Sequence, residues 1–87
     1  MANNTSTVTT FSSAEQTALA NFTTVYNKIT GEVVVSGTED ATMTALRMKV
    51  LRGGSIRDTC DRARAYMPIL HAWNAVLKAR IEAEKAP

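Results

Sequence analysis

The chain has one cysteine, Cys60, and one histidine, His71, among its 87 residues. A single cysteine cannot close an intrachain disulfide, and this few Cys and His residues cannot supply a zinc-type ligand set, so no metal or cofactor is expected. Long apolar runs are also missing. The longest stretch without a charged residue, 65–77, is too short to cross a bilayer and is interrupted by Pro68, His71 and Asn74, which argues against a membrane span. The N-terminus has neither a basic start nor an apolar segment of the secretory kind, so synthesis in a cytoplasm is expected.

What is there is a chain with 45% apolar residues, enough to fold and enough to exclude wholesale disorder. Its length allows one small domain, which buries only a modest fraction of its surface without disulfides or metal, so a homo-oligomer or a protein partner is expected. The net charge of +2 hides an uneven distribution. Residues 1–40 carry Lys28 against Glu15, Glu32, Glu39 and Asp40, while residues 41–87 carry nine basic and four acidic groups. The two halves therefore differ in sign, −3 against +5.

Residues 1–12 are almost all Asn, Thr and Ser, with too few apolar groups for a core, and read as a flexible or extended arm in front of a helical domain over 13–87. Ser12 with Glu15 has capping-box spacing, and Leu19, Phe22, Tyr26 and Ile29 follow at steps of three and four, which predicts a helix over about 13–29 closed by Gly31. The β-branched run Val33–Val35 reads as a connector or a brief strand. Ser36 with Glu39 repeats the capping spacing and opens a second helix over about 38–52, with Met43, Leu46 and Val50 inward and Gly53-Gly54 as its stop. Ser55 and Asp58 then open a third, over about 56–84, which Pro68 should kink. The expected fold is thus an all-α, three-helix domain with an N-terminal arm.

The third helix carries two adjacent stripes. Ile56, Cys60, Ala63, Met67, Leu70, Leu77 and Ile81 alternate at four and three residues, with Asn74 taking one place in the seam. Tyr66, Ile69, Trp73 and Val76 form the second. Two short helices have difficulty covering both, so one stripe is expected inside the subunit and the other at a partner interface. That interface is assigned to Tyr66, Ile69, Trp73 and Val76, with Trp73 as anchor because it offers the largest apolar face. Pairs at i,i+4 (Arg57/Asp61, Asp58/Arg62, Lys78/Glu82, Arg80/Glu84) are expected to lace the exposed side.

Catalytic constellations are weak. Cys60 and His71 lie eleven residues apart, a rise of about 16 Å at 1.5 Å per residue, too far for a nucleophile and its base. Cys60 reads as a small buried hydrophobe and His71 as a helix-surface or hydrogen-bonded residue. Asp58 and Asp61 each have an arginine four residues on and read as solvated ion pairs, and Gly53-Gly54 lacks the rest of a phosphate-binding loop. Residues 47–64 hold six basic groups against Asp58 and Asp61, and two helices joined by a glycine turn suggest a helix-turn-helix, with Lys49, Arg52 and Arg64 as candidate phosphate contacts. The apolar residues such a motif places around its turn are replaced by Lys49, Gly53 and Ser55.

A Thr/Ser/Asn-rich arm on a short helical domain without catalytic residues resembles small phage or viral assembly components in style. The sequence therefore suggests a non-enzymatic helical protein acting by self-association or by docking into a larger complex, such as a virion. The alternative is a small basic phage-type protein that binds nucleic acid or inhibits a nucleic-acid-handling host machine.

Overall fold

A computed structural model describes residues 11–85. The arm expected over 1–12 lies outside that range except for Phe11 and Ser12. The described residues are all-α: α1 (Ser13–Thr30), α2 (Glu39–Val50), α3 (Ile56–Ala65) and α4 (Met67–Lys85), with no strand among them.

α1 starts where Ser12 Oγ accepts the Glu15 N–H at 3.1 Å, satisfying a donor that has no partner within the first turn. It ends at Gly31, whose φ of 76° lets its N–H donate to Asn27 O at 2.8 Å. Between these caps the inward stripe is Glu15, Leu19, Phe22 and Tyr26. Residues 31–38 then form a connector, in which Val34 packs on the core while Val33 and Val35 stay exposed.

α2 begins at Glu39, with Thr38 in the cap position and no side-chain cap, so the Ser36–Glu39 box does not form. Glu39 Oε1 accepts the Gly37 N–H at 3.0 Å instead, and the Thr38 hydroxyl donates to Val35 O at 2.7 Å, closing the turn locally. Met43, Leu46 and Val50 are the buried face. α3 has the complete box: Ser55 Oγ accepts from Asp58 N at 3.1 Å and Asp58 Oδ2 accepts from Ser55 N at 3.4 Å.

The single kinked helix expected over 56–84 is corrected to two helices, so the described residues hold four helices rather than three. Tyr66 is the point of division. Its N–H donates back to Ala63 and Arg62 carbonyls, and its own carbonyl accepts from Ile69 and Leu70 N–H at 3.0 Å, so it closes α3 and opens α4. Pro68 is the reason: inside a continuous helix its ring would collide with the carbonyl four residues back, whereas in the first turn of α4 its missing N–H forfeits nothing.

α1 and α4 are the main packing pair, and α2 adds Met43 and Leu46 to the core between them. Phe22 lies against Trp73 at 4.9 Å between ring centroids and against Tyr26 at 5.9 Å, both tilted arrangements favoured by aromatic quadrupoles. Ile69 and Val76 are fully buried beside them. Side chains of this size each contribute about 1.5–3 kcal/mol on complete burial.

Candidate functional site

The structure turns the two stripes of the C-terminal half the opposite way from the sequence assignment. Ile69, Trp73 and Val76, placed at a partner interface, sit in the chain's own core, with Trp73 only 3% exposed; Tyr66 is half-buried at the α3–α4 junction. The physical reason lies in the neighbours. Ala72 and Ala79 flank the Trp73 stripe and permit close approach of α1, whereas burying the other stripe would take Asn74 out of water. In that other stripe Ile56, Cys60, Met67 and Ile81 are exposed, and Ala63, Leu70 and Leu77 are half-buried. Cys60 is therefore a surface thiol rather than a small core residue. His71 is exposed on α4.

α3 is the most amphipathic of the four helices, yet none of its residues is buried. Ile56 is 83% exposed at its start and Leu51 is 67% exposed at the end of α2. An apolar recess of about 170 Å³ opens at Leu51, lined by Leu46, Arg47, Val50, Leu51 and Leu70. Met67, one turn before Leu70, is also exposed.

What ties α3 to the rest is polar. Arg62 Nε donates to Val50 O at 3.0 Å, and Arg62 Nη2 donates to Gly53 O, so one guanidinium occupies the carbonyl end of α2. The negative end of a helix dipole favours a cation there. The expected Asp58/Arg62 pair is corrected accordingly: Asp58 serves the capping box and Arg62 serves α2.

The remaining i,i+4 pairs also give way. Among the described residues, Asp61 pairs with Arg64 at 3.4 Å, both largely exposed, and the other ion pairs belong to Arg80. Pairs as exposed as Asp61–Arg64 contribute little, because water and salt screen them. The candidate phosphate contacts Lys49, Arg52 and Arg64 are all exposed, as are Arg47 and Arg57, so five cations share the surface of α2's last turns and α3.

Arg80 forms a node that the sequence reading assigned to Glu84. Arg80 Nε donates to Glu15 Oε2 at 2.8 Å, its two terminal nitrogens donate to Asp40 at 3.0 and 3.3 Å, and its guanidinium stands 5.2 Å from the Trp73 ring centroid. One side chain thus joins α1, α2 and α4. Hydrogen bonding to Asp40 raises the Arg80 pKa against the opposing effect of burial, and Glu15 adds to it. The signal was present in the sequence: Glu15 falls on the same four-three-four stripe as Leu19, Phe22 and Tyr26, and a carboxylate on a buried stripe needs a cation. Its backbone does meet Ser12, but its side chain leaves the capping box for Arg80.

Tyr26 is the other perturbed group. Burial pushes its phenol above the usual 10, and the Glu32 carboxylate, which accepts the hydroxyl hydrogen bond at 3.3 Å, adds to the rise. Tyr26 bonds Glu32 beyond the end of α1, and Arg80 bonds Glu15 and Asp40, so both side chains serve to hold elements together. No group of three or more Cys, His, Asp or Glu side chains is gathered to hold a metal ion, and no helix is long and apolar enough to cross a membrane, among the described residues.

The arrangement that stands out is therefore a surface: an unburied amphipathic helix tied by Arg62 to the end of α2, an apolar recess there that Arg47 lines, and four more exposed cations over the same stretch of chain. Comparison of the chain with family models, curated proteins and solved structures gives no match, so its reading rests on that surface.

Proposed function

We propose that the chain is a non-enzymatic helical assembly protein, which acts by self-association or by docking into a larger complex, such as a small phage or viral structural component of the virion. The observation that carries this reading is α3, an amphipathic helix without a buried residue, flanked by exposed Leu51 and Met67. Water contact along its apolar stripe is unfavourable, and a partner surface over it removes that cost. α1, α2 and α4 supply every fully buried side chain of the core cluster, and α3 supplies none. α3 is thus free to serve association without withdrawing anything from folding.

Light scattering over a concentration series, repeated at rising salt, tests the reading. A mass above the 9.4 kDa monomer that holds or grows with salt, and that returns to the monomer in Ile56→Asp, supports self-association through α3.

The second reading, nucleic-acid binding or inhibition of a nucleic-acid-handling machine, draws on the exposed Lys49, Arg52 and Arg64. It is the weaker one, because a recognition helix must be held rigidly by packing and no residue of α3 is fully buried. A protein that stays monomeric at all concentrations and binds duplex DNA with a steep salt dependence, lost on replacing Lys49, Arg52 and Arg64 with glutamine, puts this reading first.

A further inference from the structure

We infer that the surface formed by the last turn of α2, α3 and the start of α4 takes an acidic, amphipathic helical segment of a partner protein. The inference rests on the assembly reading and names the occupant of its surface. Nine large apolar side chains are exposed among the described residues, and four of them (Met48, Leu51, Ile56 and Met67) fall between residues 48 and 67. Four exposed cations, Lys49, Arg52, Arg57 and Arg64, fall in that stretch too, and the exposed Arg47 directly precedes it.

Charge decides the occupant. Residues 47–64 carry six basic groups against two acidic ones, an excess of four positive charges, 6 − 2 = +4. Asp58 is engaged by the backbone of its own cap, and Asp61 is paired with Arg64. A second copy presenting this same face would bring like charges together, which is unfavourable across a closing interface. A nucleic acid would satisfy the cations but would leave Leu51, Ile56 and the apolar recess against phosphate and water. An amphipathic helix with an acidic rim satisfies both: its apolar side chains meet Ile56 and enter the recess between Leu46, Val50, Leu51 and Leu70, and its carboxylates reach Arg47 in the recess lining. Arginines at such a site also lend carboxylate geometry and orientation to the docked helix.

The experiment uses the full chain and three probes: a synthetic amphipathic peptide with leucines on one face and glutamates on the other, the same peptide with glutamine for glutamate, and duplex DNA. Isothermal titration at physiological salt is expected to show binding of the glutamate peptide, about tenfold weaker binding of the glutamine peptide, and loss of binding in Leu51→Ser/Ile56→Ser. Arg47→Gln/Arg57→Gln should reduce the preference for the glutamate peptide over the glutamine peptide. All four side chains replaced are exposed in the native fold, and circular dichroism of each variant verifies that the body remains folded. Equal binding of the two peptides, or none, overturns the inference. Tighter binding of DNA than of peptide, unchanged by Leu51→Ser/Ile56→Ser, overturns it in favour of phosphate and defeats the assembly reading as well. Self-association of the wild type that excludes the glutamate peptide overturns the acidic occupant alone and leaves assembly through α3 standing.

Discussion

The body built from α1, α2 and α4 and the short, charge-rich helix α3 meet opposite fates. In the body, Phe22, Ile69 and Val76 lose all contact with water, while α3 leaves Ile56 83% exposed and is tethered by the hydrogen bonds of Arg62. The difference is one of hydrophobicity as well as of available partners, since Ile56 is the one large apolar side chain among the ten residues of α3. α1 and α4 are long enough to lie along one another, 18 and 19 residues, and their alanines permit close approach. α3 has ten residues, begins after a glycine turn and is cut off by Pro68, and among the described residues no helix buries its stripe. Amphipathic pattern shows which face wants cover; chain length and topology decide whether the same molecule supplies it.

That contrast can be broken most forcefully in the core. Phe22→Ala or Trp73→Ala should cost about 3–5 kcal/mol in urea unfolding, enough to leave so small a domain largely unfolded. Ile56→Ala should change the midpoint by less than about 0.5 kcal/mol, because little of its surface is buried. A comparable loss at both positions would erase the distinction between body and α3.

Next in size is the Arg80 node. Arg80→Ala should cost about 2–4 kcal/mol, since it leaves Glu15 buried without its cation and removes the tie to Asp40. Glu15→Leu/Arg80→Met should recover most of that loss, because the unpaired charge disappears with its partner. A double variant as unstable as Arg80→Ala would show that packing against Trp73, rather than the charge, carries the effect.

Arg62→Ala should act on α3 alone. Loss of its hydrogen bonds to the α2 carbonyls should cost about 0.5–1.5 kcal/mol of local stability, read as faster amide exchange in α3 with the body's unfolding midpoint nearly unchanged. The smallest effect is alkaline. Tyr26 has a folded pKa above its unfolded value, so the neutral phenol's contribution is fully present below pH 10 and is lost as pH rises through the raised folded value. Tyr26→Phe should flatten the alkaline limb of the stability–pH curve, and an unchanged limb would point to another group.

Much of this organisation can be read in the amino-acid order. The 4-3-4 step of Leu19, Phe22 and Tyr26, the left-handed Gly31 and the Ser55–Asp58 box are local features, and local rules locate them within a residue or two. The division at Tyr66 is signalled by Pro68, but whether a proline kinks or ends a helix depends on whether the backbone on both sides has somewhere to pack. Which of two adjacent stripes turns inward depends on what α1 brings: its small and aromatic residues fit Ala72 and Trp73 and have no use for Asn74. The Arg80 node joins residues 65 and 40 positions apart, beyond the reach of any spacing rule, although Glu15 on a core stripe announced that some cation was required. The candidate surface was half legible, since the basic stretch over 47–64 was visible, while the exposure of Leu51 and Ile56 beside it follows only from the fold.

The most direct test of the central claim, that α3 is held outside the folded body as a docking element, is residue-resolved amide hydrogen exchange on the dilute wild-type protein. The account predicts that α3 exchanges by local opening, with protection far below that of Phe22 and Val76 in α1 and α4, and that it gains protection selectively when its partner surface is present. Protection of α3 equal to that of α1 and α4 in the isolated monomer would contradict it, since α3 would then belong to the body's cooperative unit.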